Sequence, residues 1–184
     1  MLEKLFLFDT ELLFFINKNL TSKFLDPFVL FLTSEKTWIF VALLCFSYFL
    51  FKKNKKVLFV LFLMLLSLGI TDALSYWVLK PYFDRIRPCH TLQTLRLVEG
   101  VCSGIHSFPS NHAGNSAAVA TVAFFYFSRK VFWFIFFTGL IVSFTRLYLA
   151  VHYPSDIFFG FLIGSLISIL LIKLTRKLKD KFFK

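Results

Sequence analysis

The chain is 184 residues long, 58% hydrophobic, with 28 Phe and a mean hydropathy of +0.74. Soluble domains run about 45–50% apolar, so this composition excludes a disordered chain and argues against an ordinary soluble globule; the length suits one domain, residues 1–184. A formal charge of +11 would suggest nucleic acid on a soluble protein, but on a membrane protein it first asks on which side the bases lie.

In the first 20 residues, the pairs Glu3–Lys4, Thr10–Glu11 and Asn17–Lys18 recur every seven positions. That spacing sets them on one helix face among Leu, Phe and Ile. The longest uncharged stretch there, 12–17, is too short to span, so residues 1–33 read as an amphipathic helical segment in the membrane interface. No basic leader with a small-residue cleavage site is present, so a removable signal peptide is not expected.

Crossing a bilayer takes roughly 17–25 apolar residues. Residues 37–51 form a short uncharged run, which lengthens upstream through Thr33 only by including Glu35 and Lys36. Residues 57–79 carry one charge, Asp72; 113–127 and 157–172 carry none; 131–151 is interrupted only by Arg146. The expectation is an all-α integral membrane bundle of five transmembrane helices plus the interfacial N-terminal helix. There are no internal repeats, so a transporter of duplicated halves is unsupported.

Three basic segments set the orientation: Lys52-Lys53-Asn54-Lys55-Lys56, Arg129-Lys130, and the tail 173–184. With five spans all three fall on one side, which the positive-inside bias makes cytoplasmic. Their Lys and Arg outnumber Asp180 by the whole formal excess of +11, so the charge is a topology signal and gives no reason to expect nucleic acid. The loop 80–112 then faces outward with the N-terminal helix; a six-span arrangement would move only the N-terminus inside.

The outward side concentrates unusual chemistry. Lys80, Arg85 and Arg87 follow the second span, Ser110, Asn111 and His112 precede the third, Arg146 lies near the end of the fourth, and His152 and Asp156 bracket the start of the fifth. A cation in a span is expensive, roughly 2.5–3.5 kcal/mol at its centre. Snorkelling accounts for one such residue, not for convergence from several segments. Lys and Arg suit an anion, and Arg suits phosphate oxygens. The Ser110 hydroxyl and the backbone N–H groups of Asn111 and His112 can add to the cradle. Two histidines allow a nucleophile and a separate acid, and a carboxylate four residues after His152 can orient its imidazole. Zn²⁺ or Mg²⁺ at His and Asp is the competing chemistry, disfavoured by three cations. An anion transporter using the cations for selectivity is the competing function.

The motifs themselves are more specific. Lys80-Pro-Tyr-Phe-Asp-Arg-Ile-Arg87-Pro88, then Pro109-Ser110-Asn111-His112, then Thr145-Arg146 with His152 and Asp156 at their intervals, resemble in order the three motifs of the type 2 phosphatidic acid phosphatase superfamily. The resemblance implies a metal-independent, cofactor-free phosphatase of the membrane branch. It implies His152 as the nucleophile of a phosphohistidine, Asp156 as its orienting partner, and His112 as the acid for the leaving oxygen. Lys80, Arg87, Ser110, Arg146 and the Asn111 backbone would hold the phosphate. Asn111 stands where the motif has Gly, and a positive φ there would suit Asn best among other residues. Thr145 stands where the motif has Ser.

Further residues carry smaller expectations. Asp72 should hydrogen-bond across the bundle. Asp84 and Arg85 read as a local ion pair or rim contact. Cys89 and Cys102 share the outward loop, where an oxidising periplasm permits a disulfide, while Cys45 lies within a span. Trp38, Trp77 and Trp133 suit interfacial anchoring. The resulting expectation is a multi-pass enzyme of the bacterial inner membrane, with its site facing the periplasm and its C-terminus cytoplasmic. Its partners would be the bilayer and a membrane lipid phosphate, either lipid A 1-phosphate or undecaprenyl pyrophosphate, with phosphatidylglycerol phosphate and phosphatidic acid as alternatives. No obligatory protein partner is expected.

Overall fold

A computed structural model describes residues 2–98 and 100–175. Most of the basic tail, from Arg176 onward, lies outside the described residues. The elements are all helical: α1 (Leu2–Asn19), α2 (Asp26–Thr33), α3 (Glu35–Phe51), α4 (Lys55–Leu74), a π-helical turn (Ser75–Leu79), α5 (Lys80–Phe83), α6 (Pro88–Thr91), α7 (Asn111–Tyr126), α8 (Arg129–Tyr148) and α9 (Pro154–Leu174). Among the described residues the sole extended pairing is an isolated bridge between Ile86 and His106.

Leu-, Phe- and Ile-rich runs propagate these helices, and local chemistry starts them. The Asn54 side chain accepts from Val57 N at 3.1 Å and begins α4 after the lysine turn. Pro154 opens α9, where its missing N–H costs nothing. The stretch Lys55–Phe83, α9 and α8 are each long and apolar enough to cross a membrane. The α2–α3 pair meets the same test together, bent by 53° at Ser34. The protein is thus a multi-pass helical membrane protein.

Helix α7 is the exception in length: its 16 residues reach about 24 Å. It is central instead, packed on α4, α8 and α9. Ala113, Gly114, Ala117, Ala118, Ala120 and Ala123 are buried along it. Small residues let helix backbones approach where no hydrophobic force draws helices together. Against α9 the approach is so close that a Cβ on Gly160 would stand 2.6 Å from Ser110 O, and one on Gly164 would run into Gly114 O. Toward the other end Val60, Leu63, Met64, Val122 and Ala123 form an apolar core. Between these zones the Ser67 and Ser168 hydroxyls meet at 2.5 Å.

The N-terminal segment departs from its expected form. It is two helices, and α2 runs through the bend into α3. Among the described side chains of α1 the buried ones are Asp9, Leu13, Ile16 and Asn17, while Glu11 and Lys18 are exposed. Asn17 therefore parts from Glu11 and Lys18 on that polar face, and the Glu3 and Lys4 side chains lie outside the described residues. Asn17 turns inward because its amide exchanges hydrogen bonds with the Arg96 backbone, donating to Arg96 O at 2.9 Å and accepting from Arg96 N at 2.7 Å. Phe6, Leu7, Phe8 and Phe15 remain exposed on α1.

The loop between α5 and α7 is laced to this segment. Arg96 pairs with Asp26 at 2.5 Å, and Tyr148 donates to Asp26 Oδ1 at 2.8 Å. The hydrogen bond to Asp26 raises the Arg96 pKa above its ordinary value. Cys89 and Cys102 are joined as a disulfide. Cys89, Val98 and Val101 pack on Val29, Tyr148, Leu149 and Val151, which seats the loop over the ends of α2 and α8.

Candidate active site

The chain order brings the end of the α4–α5 rod, the start of α7, the end of α8, the start of α9 and the α2–α3 bend to one end of the bundle. Lys80 opens α5 directly after the π-helical turn, an irregularity that re-aims side chains near functional sites. Lys80 is buried, and its Nζ donates to Pro109 O at 3.0 Å and to His106 O and Ser107 O at 3.4 Å. The first motif thereby holds the second in place.

Arg87 is fixed through its backbone, with N donating to Ile105 O at 2.9 Å, and its Nη1 reaches Val151 O at 3.4 Å. Arg146 is buried at the end of α8, with Nη1 donating to Thr33 Oγ1 at 2.5 Å. Among the described residues neither Arg87 Nε nor Arg146 Nε finds an acceptor. Buried donors are normally satisfied, so two guanidinium N–H groups without acceptors mark a site suited to an anion. Burial lowers the Arg87 pKa from its ordinary value, opposed by the charge of Asp156.

Ser110 is the N-cap of α7: its Oγ accepts from Ala113 N at 3.5 Å, and its own N donates to Asp156 O at 3.1 Å. That last bond ties the second motif to the third. Asn111 is the first helical residue and does not take a positive φ; among the described residues the positive-φ residues other than Gly are Lys53, Asp84, Thr94 and Ala150. A side chain is therefore tolerated at Asn111, and its amide donates to Asp72 Oδ1 at 2.7 Å. Asn115 Nδ2 reaches the same oxygen at 3.0 Å. Asp72 thus holds the first turn of α7 from α4. His112 follows, with Nε2 3.0 Å from Thr33 O.

Between α8 and α9 the chain turns through Ala150, buried at φ 54°. The turn presents His152, 2% exposed, to the cations. Its Nδ1 lies 3.4 Å from Asp156 Oδ2, longer than a formed hydrogen bond but close enough to orient the ring. Burial, then Arg146, Arg87, Lys80 and His112, push the His152 pKa well below its ordinary value. The imidazole is therefore held neutral, the form that can attack an electrophile.

Lys80, Arg87, Ser110, Asn111, His112, Arg146, His152 and Asp156 thus converge on one end of the bundle. Three other residues stand differently from their reading in sequence. Asp84 is exposed and pairs with His106 Nδ1 at 3.0 Å, not with Arg85. Arg85 turns inward and pairs with Asp156 at 2.7 Å and with Asp9 at 2.7 Å. Asp9 was not singled out at all. Its signal was one acid among Phe and Leu, in step with Leu13 and Ile16 on a single helix face. Cys102 Sγ lies 3.5 Å from His90 Nε2, but both cysteines are in the disulfide, so this group offers no thiolate for a metal.

Comparison with known proteins gives the family. Residues 56–180 match the model of the PAP2 superfamily, and the chain belongs to that family. It is 32% identical over 149 residues to the lipid A 4'-phosphatase of Porphyromonas gingivalis, covering 78% of this chain and 63% of that protein. It is also 32% identical to the lipid A 4'-phosphatase of Bacteroides thetaiotaomicron, over 89% of this chain and 75% of that one. The undecaprenyl-diphosphatase of Sulfolobus acidocaldarius is 28% identical over 91% of this chain and 78% of its own. In structure, the chain resembles the transmembrane PAP2-type phosphatidylglycerolphosphate phosphatase of Bacillus subtilis. The TM-score is 0.64 at 25% identity, covering 95% of both chains.

Proposed function

We propose that this protein is a metal-independent membrane lipid phosphatase that removes phosphate through a phosphohistidine on His152. The observation that carries the reading is the convergence of three cations, Lys80, Arg87 and Arg146, on two histidines and Asp156 at one end of the bundle. Arg87 and Arg146 keep N–H groups without acceptors there. A phosphoryl group enters between the cations, and its oxygens accept from Lys80, Arg87, Arg146, the Ser110 hydroxyl and the N–H groups opening α7. These donors stabilise charge spread over the equatorial oxygens at the transition state.

His152 Nε2 attacks phosphorus, and the P–O bond to the lipid breaks as the P–N bond forms. His112, charged as the imidazolium when the phosphate dianion sits beside it, gives its Nε2 proton to the leaving oxygen and becomes neutral. To do so its Nε2 gives up Thr33 O, so the α2–α3 bend yields its contact as substrate docks. Asp156 holds Nδ1–H and stabilises the charged ring. Water, activated by His112, then cleaves the P–N bond and releases inorganic phosphate.

The substrate favoured is a lipid A phosphate, because two relatives at 32% identity are named for that lipid. They are named for the 4'-position; the 1-position was the expectation from sequence, and the motifs themselves read only phosphate. Undecaprenyl pyrophosphate is the second reading, supported by the relative named for it. The positive-inside bias puts the Lys52–Lys56 turn and the C-terminus in the cytoplasm and the site at the periplasmic face of the inner membrane.

The test is phosphate release in detergent from purified lipid A 1-phosphate, lipid A 4'-phosphate, undecaprenyl pyrophosphate and phosphatidylglycerol phosphate, with and without chelator. Lipid A phosphate should be the best substrate and chelator should not matter. A requirement for added metal, or full activity in His152→Ala, overturns the mechanism.

A further inference from the structure

The α9 end of the site is anchored by groups the mechanism above does not use. Arg85 spreads its guanidinium between two carboxylates from distant parts of the chain. Nη1 donates to Asp156 Oδ1 and to Ser155 Oγ, both at 2.7 Å, and Nη2 donates to Asp9 Oδ2 at 2.7 Å. The guanidinium lies over the Tyr153 ring, 3.9 Å from its centroid, which fixes its plane. Asp9 also accepts from Ser155 N at 2.9 Å and from the Ser155 hydroxyl. A carboxylate of α1 thus caps the first turn of α9, the turn that carries Asp156.

We propose that Asp9 and Arg85 are positioning residues for His152, acting through Asp156, so that α1 completes the catalytic apparatus. The inference rests on the phosphatase reading. A carboxylate turns easily about its last torsion, yet here its two oxygens have separate duties. Oδ1 is pinned by Arg85, while Oδ2 accepts from Tyr153 N at 2.9 Å and faces His152 at 3.4 Å. The second effect is one of charge. One guanidinium paired with Asp156 alone would neutralise it, and the imidazolium character that grows on His152 would lose its counter-charge. Sharing Arg85 with Asp9 leaves the three-group cluster net negative. A low dielectric makes that difference count.

The variants that read this are Asp9→Asn, which keeps the shape and an acceptor for Ser155 N but removes the charge, and Arg85→Lys, which keeps charge but loses the fork. For each, kcat and KM for the lipid phosphate are measured in detergent beside the melting temperature. The rate of phosphoenzyme formation is measured in a single turnover. Asp9 and Arg85 do not face the phosphate, so kcat and the phosphorylation rate should fall about tenfold while KM stays within about twofold. Asp9→Glu should restore part of the rate. Should Asp9→Asn fail to fold, Ser155→Ala, which removes the hydroxyl that accepts from Arg85 and donates to Asp9, should lower kcat by roughly threefold with KM unchanged.

Folded variants with wild-type kcat overturn the proposal, and so does a loss confined to KM. Failure of the phosphatase reading looks different: the wild type releases no phosphate, or His152→Ala matches it.

Discussion

The two ends of this helical bundle are built from the same basic residue types and treat them in opposite ways. At one end Lys52, Lys53, Lys55, Lys56, Arg129, Lys130 and Lys173 are all exposed. Their contacts are incidental, such as Arg129 over Phe124 at 4.4 Å. At the other end Lys80 and Arg146 are buried, and Arg87 and Arg85 are partly so. Each of these is held by named acceptors from other segments. Exposed cations interact with water and headgroups and are strongly screened. Buried cations have lost that hydration and gain most from an anion that replaces it. The difference shows that the chemistry of a base is decided by what has been removed from around it.

The largest effect should come from His152, the proposed nucleophile. His152→Ala should lower phosphate release by about 10³-fold or more, measured as turnover in detergent; substantial residual turnover would make the two ends equivalent in function. Arg146→Ala should follow, with a loss of about 10²–10³-fold in kcat/KM, since on the proposed mechanism it removes a donor aimed at developing charge. At the opposite end, Lys52→Ser with Lys53→Ser should change turnover by less than twofold, and this contrast is the sharpest form of the comparison.

Two intermediate predictions test how the site is built. Gly164→Ala forces a methyl against the Gly114 backbone, where neither helix can yield cheaply. Overpacking of this kind costs about 1–3 kcal/mol and should lower the melting temperature by several degrees, with activity falling as α7 and α9 separate. The pH dependence is milder. Because His152 is held neutral by burial and by neighbouring cations, its pKa lies below its ordinary 6.5. The acid limb of kcat/KM should therefore lie below pH 6.5, whereas an ordinary histidine would halve the rate there. The sign for stability is the same. His152 contributes fully above the ordinary histidine pKa, and that contribution is lost as pH falls toward the depressed one. A limb centred at or above 6.5 would contradict a buried, cation-flanked nucleophile.

The parts of the site legible in the sequence were those whose residue types are costly where they stand. Arg146 inside an apolar run, Lys80 at the end of another, and His152 with Asp156 beside a helix-opening Pro154 each announce themselves because burial of such groups needs a reason. The class of fold was legible for the same kind of reason, since long apolar runs in lipid can only be helices. Asp9, Thr33 and the α7–α9 glycines were not legible. Asp9 sits on an amphipathic helix where one acid is ordinary, and nothing local says that it meets Ser155, 146 positions away. Thr33 acts on His112 through a carbonyl oxygen, which every residue possesses. Gly114, Gly160 and Gly164 matter only because two backbones touch there.

By itself, then, the sequence determined that this chain is a helical membrane protein with its basic excess gathered in a few short segments and the tail. It also determined that its costly polar residues share one side. Hydropathy and charge are properties each residue carries alone, so a linear reading recovers them. The tertiary structure decided which residues of the N-terminal segment turn inward, that Arg85 pairs with Asp9 and Asp156 instead of Asp84, and that Asn111 is an ordinary helical residue held by Asp72. Those are matters of distance between segments remote in the chain, and only the packed bundle supplies the distances.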